Sequence, residues 1–197
     1  MSKSVPTIQK AGCIGVGNVG RSWAICFARG GVETLIYDTN PEALERAFGH
    51  IETSVRDMVE FGLVESAEYI LELIRPAESL DELLSVSSYV QESIVENLQV
   101  KKDLFSQLDE QASPDMIIAS SSSEFMSSEV AGHLDGRQRF LNAHPFNPPH
   151  LIPVVEVCGH PDTSPKAIAG TMDFLEQIGM SPVRVQKEIK AFLVNRL

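Results

Sequence analysis

The stretch Ala11-Gly12-Cys13-Ile14-Gly15-Val16-Gly17-Asn18-Val19-Gly20-Arg21-Ser22-Trp23-Ala24 decides the fold. Its opening, Ala11 to Val16, is an apolar run of strand length, and Val19 to Ala28 carries helical periodicity. Between them Gly15, Gly17 and Gly20 stand in the pattern G-x-G-x-x-G, with Asn18 and Val19 in the intervening positions. In a strand-turn-helix setting the first glycine permits the tight turn, and the second lets the backbone approach a pyrophosphate. The third lets helix pack on strand, while the helix N-terminus offers free N–H donors. Asp38 ends the next apolar run, 18 residues beyond Gly20, where a carboxylate accepts hydrogen bonds from a ribose 2′-hydroxyl and repels a 2′-phosphate. Asp38-Thr39-Asn40 contains no Lys or Arg, so NAD is expected over NADP. The competing reading of Asp38 is a capping residue ahead of Pro41.

Outward from this unit the pattern of short apolar run, small-residue turn and helical stretch repeats. Strands are predicted near Thr34 to Tyr37, Leu71 to Ile74, Val86 to Val90 and Met116 to Ala119. Helices are predicted over Pro41 to Phe61, with Asn40 as N-cap, and over Leu98 to Leu108. This order predicts an α/β, Rossmann-like, doubly wound and mostly parallel sheet with helices on both faces. Further on come the runs Phe140 to Ala143 and Leu151 to Val157, a helix from Ser164 to Ile178 and a strand from Pro182 to Val185. Ala191 to Leu197 reads as the first turns of a helix. The expected division is a dinucleotide-binding domain over 1–187 and a linker over 188–197 leading toward a helical C-terminal domain that the chain lacks.

Composition narrows the classes. The 197 residues are 43% hydrophobic and 22% charged, ordinary for a globular chain, which excludes disordered and fibrous classes. A net charge of −11 provides no field for displacing counterions from nucleic-acid phosphates. Cys13, Cys26 and Cys158 have neither the even count of a disulfide framework nor the spacing of a zinc site, so free thiols and no metal are expected. No apolar run approaches a membrane span. A cytoplasmic protein with a small-molecule ligand, and neither a nucleic-acid nor a membrane partner, is expected.

Three segments carry chemistry. Ser120-Ser121-Ser122-Ser123 follows a predicted strand and precedes a helix expected from Glu124, at the sheet edge where ligands sit; otherwise it is a flexible serine loop. His144 closes the next strand, within Ala-His-Pro-Phe-Asn-Pro-Pro-His, and is either a structural hydrogen-bonder or a catalyst. Glu156 sits 12 residues on in an apolar run, where a buried carboxylate needs a partner and a histidine needs an orienting acceptor.

On these residues the chain resembles the 3-hydroxyacyl-CoA dehydrogenase family, most closely its lambda-crystallin or L-gulonate 3-dehydrogenase branch. The carriers are the glycine fingerprint with Gly20-Arg21-Ser22-Trp23-Ala24, Val95-Glu96-Asn97-Leu98 with Lys101, and the serine run. To these are added His144-Pro145-Phe146-Asn147-Pro148, Glu156 and Val194-Asn195-Arg196-Leu197. The resemblance implies that Ser123 binds substrate, His144 is the catalytic base, Glu156 is its partner and Asn195 lies near the substrate. It also implies that Glu96, Lys101 and Asn147 lie near the cofactor. Without it, Glu96 reads as a solvated helix start, Lys101 as a surface lysine and Asn195 as a helix-surface residue. Between Arg56 and Arg75 there is no Lys or Arg, while Asp57, Glu60, Glu65, Glu68 and Glu72 are acidic, a poor surface for the phosphates of coenzyme A. The implied activity is hydride transfer from a 3-hydroxy acid to NAD, on a free hydroxy acid ahead of a 3-hydroxyacyl-CoA, in a homodimer. The alternative of another class is a nucleotide-binding structural protein of the crystallin type.

Overall fold

The computed structural model describes residues 8–192. β1 (Lys10–Ile14), α1 (Asn18–Arg29) and β2 (Glu33–Tyr37) form the first unit, followed by α2 (Pro41–Glu60), α3 (Ala67–Glu72) and β3 (Ile74–Pro76). Then come α4 (Leu80–Val86), β4 (Tyr89–Glu92), α5 (Leu98–Gln111), β5 (Ile117–Ser120) and α6 (Ser127–Ala131). β6 (Phe140–Pro145), β7 (Val154–Gly159), α7 (Pro165–Gln177) and β8 (Ser181–Arg184) complete the order. The strands form one eight-stranded sheet, β3-β2-β1-β4-β5-β6-β7-β8. Neighbours from β3 to β6 are parallel, β7 pairs antiparallel with β6, and β8 is parallel to β7. This is the mostly parallel, doubly wound sheet expected from the sequence.

Period-2 alternation sends adjacent strand residues to opposite faces. Cys13, Ile36, Tyr89, Ala119 and Leu141 join Trp23 and Phe27 of α1 and Phe174 of α7 in one core. Ile14, Leu35, Val90, Ile118 and Phe140 join Leu83 of α4, Phe105 of α5 and Val130 of α6 in the other. All three cysteines are free and buried. Burial pushes the Cys26 thiol up to about 12 and the Cys158 thiol up to about 11. No described helix is long and apolar enough to cross a membrane.

Several boundaries differ from expectation. The strand predicted over Leu71 to Ile74 is the end of α3 followed by β3, and Val86 closes α4 rather than opening a strand. Both helices are short and begin at serine caps: Ser66 Oγ accepts from Tyr69 N, and Ser79 Oγ accepts from Glu82 N. Leu151 and Ile152 belong to the turn before β7, and the helix expected from Glu124 begins at Ser127. Ala191 and Phe192 are not helical, having φ of 64° and 49°. The remainder of that predicted helix, with Asn195, lies outside the described residues.

Candidate active site

The carboxyl ends of β1, β4, β5 and β6 converge on one edge of the sheet, where the strand order reverses between β1 and β4. Gly15 turns the chain there with φ 89°, a conformation in which a side chain would also meet the Ser93 backbone. A Cβ on Gly20 would strike the Gly15 carbonyl, so loop and helix close on each other only with glycine at that position. At Gly17, by contrast, an added Cβ would meet nothing, leaving the N-terminal end of α1 open to a ligand. Asp38 stands beside this opening, its Oδ2 accepting from Val16 N at 3.1 Å and its Oδ1 from Asn40 N at 2.9 Å. The cap of α2 is Asn40, whose Oδ1 accepts from Glu42 N and Ala43 N, which removes the capping reading of Asp38. An open glycine turn at a helix N-terminus, flanked by a half-buried carboxylate, fits the pyrophosphate and ribose of a dinucleotide.

The register of β6 and β7 sets His144 opposite Glu156. Directly paired residues on antiparallel strands share a face, so the imidazole and the carboxylate meet: His144 Nδ1 lies 3.0 Å from Glu156 Oε2. Both side chains are buried, at 4% and 3% exposure, where neither polar group could go unpartnered cheaply. An ionised carboxylate only accepts, so Nδ1 carries the hydrogen, and Nε2 of the neutral ring is left as an acceptor. Nε2 lies 3.0 Å from Ser123 Oγ. The ring of Phe192 stacks on the imidazole at 4.5 Å between centroids and 19° between planes.

The serine run is ordered by hydrogen bonds and is not a flexible loop. Ser120 Oγ donates to Glu92 Oε2 at 2.6 Å, and Ser122 Oγ donates to Glu96 Oε2 at 2.9 Å. Ser123 N donates to Glu96 Oε1 at 2.9 Å, so Glu96, though exposed, holds the segment that carries Ser123. Ser121 Oγ accepts from Trp23 Nε1 at 3.0 Å and from Gln91 Nε2 at 2.7 Å and lies 2.8 Å from Ser93 Oγ. With both lone pairs engaged, its hydrogen points to Ser93.

Lys101 is not a surface lysine. Its side chain is 1% exposed and bonds Glu92 Oε1 at 2.6 Å, with Glu96 at 3.6 Å. Glu92, fully buried at the end of β4, also accepts from Ile94 N at 2.7 Å. Sequence reasoning missed Glu92; a charged residue closing the run Tyr89-Val90-Gln91, nine positions before Lys101, was the signal present. Val19, Ser121, Ser123, His144, Asn147 and Ile152 are among the residues around a cavity of about 400 Å³. A somewhat larger cavity of about 490 Å³, lined by Ser113, Met116 and Arg139 among others, has no paired histidine and carboxylate among its described residues.

Over residues 10–189 the chain matches the family described as 3-hydroxyacyl-CoA dehydrogenase, NAD binding domain. It is 38% identical to lambda-crystallin of Oryctolagus cuniculus over 187 residues, 93% of this chain and 59% of that protein. It is 32% identical to L-carnitine dehydrogenase of Streptomyces coelicolor over 194 residues, 98% of this chain and 60% of that protein. The solved (S)-3-hydroxybutyryl-CoA dehydrogenase of Ralstonia eutropha superposes with a TM-score of 0.90 at 26% identity, covering 97% of this chain and 68% of that one. The chain thus spans about 60% of the length of these two curated relatives.

Proposed function

Since the chain belongs to the 3-hydroxyacyl-CoA dehydrogenase family through its NAD-binding domain, we propose that it serves NAD-dependent oxidation of the secondary alcohol of a 3-hydroxy acid. The observation that carries this reading is the hydrogen-bonded line Ser123, His144, Glu156 beside an open glycine turn. Gly15, Gly17, Asn18, Val19 and Gly20 would hold the pyrophosphate and Asp38 the ribose, with Glu96, Lys101 and Asn147 shaping the nearby wall. NAD, when bound, supplies the acceptor for the carbinol hydride. His144 Nε2 takes the hydroxyl proton, so no free alkoxide need form. Glu156 keeps the ring in the tautomer that leaves Nε2 free and balances the imidazolium. Ser123 holds the reacting oxygen at hydrogen-bond distance from Nε2, and Asn195 is assigned the same task from the family pattern.

A free hydroxy acid of the L-gulonate type is favoured over a coenzyme A ester. On the acidic surface of α2 and α3, Arg56 is engaged by Glu52 at 2.8 Å and stands 3.9 Å from Glu68, leaving little positive charge for a phosphate. A relative named for L-carnitine, itself a free 3-hydroxy acid, points the same way. The same reading carries a cytoplasmic homodimer, with exposed Phe61, Leu63 and Tyr69 as apolar surface available to it; sedimentation velocity tests the pairing. For the reaction, NADH absorbance is followed with a panel of free 3-hydroxy acids and 3-hydroxybutyryl-CoA. Turnover of a free acid is expected, and absence of turnover with every member would sink the dehydrogenase reading.

A further inference from the structure

Next to the cavity at His144 lies a second one of about 300 Å³, between α1, α2 and the turn after β6. Asn147 lines both, so the two spaces adjoin. Its other walls are Asn18, Arg21, Ser22, Ile25, Ser54, Pro148 and His150. Among the described residues, Arg21 is the only Lys or Arg lining either cavity, and no Asp or Glu lines either one. In a chain of net charge −11 that is an unusual local surplus of positive charge.

Arg21 is half-buried on the first turns of α1, one residue beyond the glycine fingerprint, and its guanidinium makes no hydrogen bond or salt bridge among the described residues. The neighbouring groups are already committed elsewhere. Arg29 donates to the His150 carbonyl at 3.0 Å and to Met180 Sδ, and His150 Nδ1 lies 3.0 Å from Ser22 Oγ. Burial, and then the charges of Arg29 and Arg21, hold the His150 imidazole below its ordinary range, so at neutral pH Arg21 is the cation that faces the space.

We propose that Arg21, with Ser54 beside it and Asn147 on the wall shared with the cofactor side, forms the subsite that receives the carboxylate of the substrate. This rests on the dehydrogenase reading above and adds to it the group that selects an acid over a neutral alcohol. The carboxylate of a 3-hydroxy acid stands two bonds from its carbinol carbon. With the hydroxyl on His144 Nε2, the carboxylate would reach the second cavity across the Asn147 wall that the two spaces share. A planar guanidinium offers it two parallel N–H donors, and the hydroxyl and amide add uncharged ones.

The full chain, loaded with NAD, is titrated calorimetrically with (S)-3-hydroxybutyrate, its methyl ester and 3-hydroxybutyryl-CoA, and NAD is titrated alone. The acid is expected to bind wild type at least tenfold more tightly than the ester, Arg21→Gln to abolish that preference, and Arg21→Lys to restore part of it. NAD affinity should stay unchanged in both variants, and Lys166→Gln, an exposed charge elsewhere, should behave as wild type. Equal binding of acid and ester by wild type would overturn the proposal, as would a preference that survives Arg21→Gln. A matching loss of NAD affinity would assign Arg21 to the cofactor, and a selective loss for the CoA ester would assign it to a phosphate; either overturns the carboxylate subsite. Failure of wild type to bind NAD at all would instead strike the dehydrogenase reading on which the proposal rests.

Discussion

At His144, two hydrogen bonds and one stacked ring fix the imidazole with Nδ1 on Glu156 and Nε2 on Ser123. His144→Gln keeps a polar side chain but no base at that position, so a 10²- to 10⁴-fold fall in kcat is expected, with NAD affinity retained. Glu156→Gln should cost less, because the amide can still orient the ring but no longer balances its charge. Stopped-flow measurement of NADH formation distinguishes the two, and near-normal turnover in His144→Gln would remove the base from the mechanism. His144 and Glu156 were legible before the fold was known, since each stands in or closes an apolar run, whereas Ser123 is singled out of the serine run only by the family resemblance. Glu92 was not legible, because a carboxylate at a strand end ordinarily points to water. Only the placement of α5 across the end of β4 shows that its counter-ion, Lys101, is buried with it.

Between elements, the Glu92–Lys101 pair joins β4 to α5 in a setting from which water is excluded. Lys101→Met should therefore destabilise by about 3–5 kcal/mol, since it strands a buried carboxylate. Adding Glu92→Gln should recover part of the loss, and urea midpoints of the single and double variants measure both. At the other end of the described chain, Ala191 is held at φ 64°, where a Cβ is strained. Ala191→Gly should stabilise by roughly 0.5–1 kcal/mol, read as a raised Tm, provided that Phe192 keeps its seat on His144. The long helices and central strands follow from apolar periodicity. The short α3 and α4 do not, because six or seven residues hold fewer than two turns of pattern and their caps do the specifying. Ser79-Leu80-Asp81-Glu82 is a legible capping sequence that periodicity alone passes over.

Over the whole molecule, the strand order brings the Gly15 turn, Asp38 and His144 to one edge although they are far apart in the chain. Asp38 is expected to make NAD bind at least tenfold more tightly than NADP, and Asp38→Ala to narrow that ratio. Calorimetry with both cofactors checks it, and equal wild-type affinities would count against the assignment. Asp38 also accepts from Val16 N, so the variant should lose some NAD affinity as well as discrimination.

The chain has a single tryptophan, and its indole is fully buried while donating to Ser121, within the segment that carries Ser123. The molecule therefore contains its own optical probe. Emission from Trp23 should be blue-shifted in the native state and move to the red on unfolding, giving one clean signal for every titration above. It also overlaps the absorption band of a reduced nicotinamide. Adding NADH should quench Trp23 through energy transfer while oxidised NAD quenches it less, so cofactor occupancy and redox state can be read from the same fluorophore without a label.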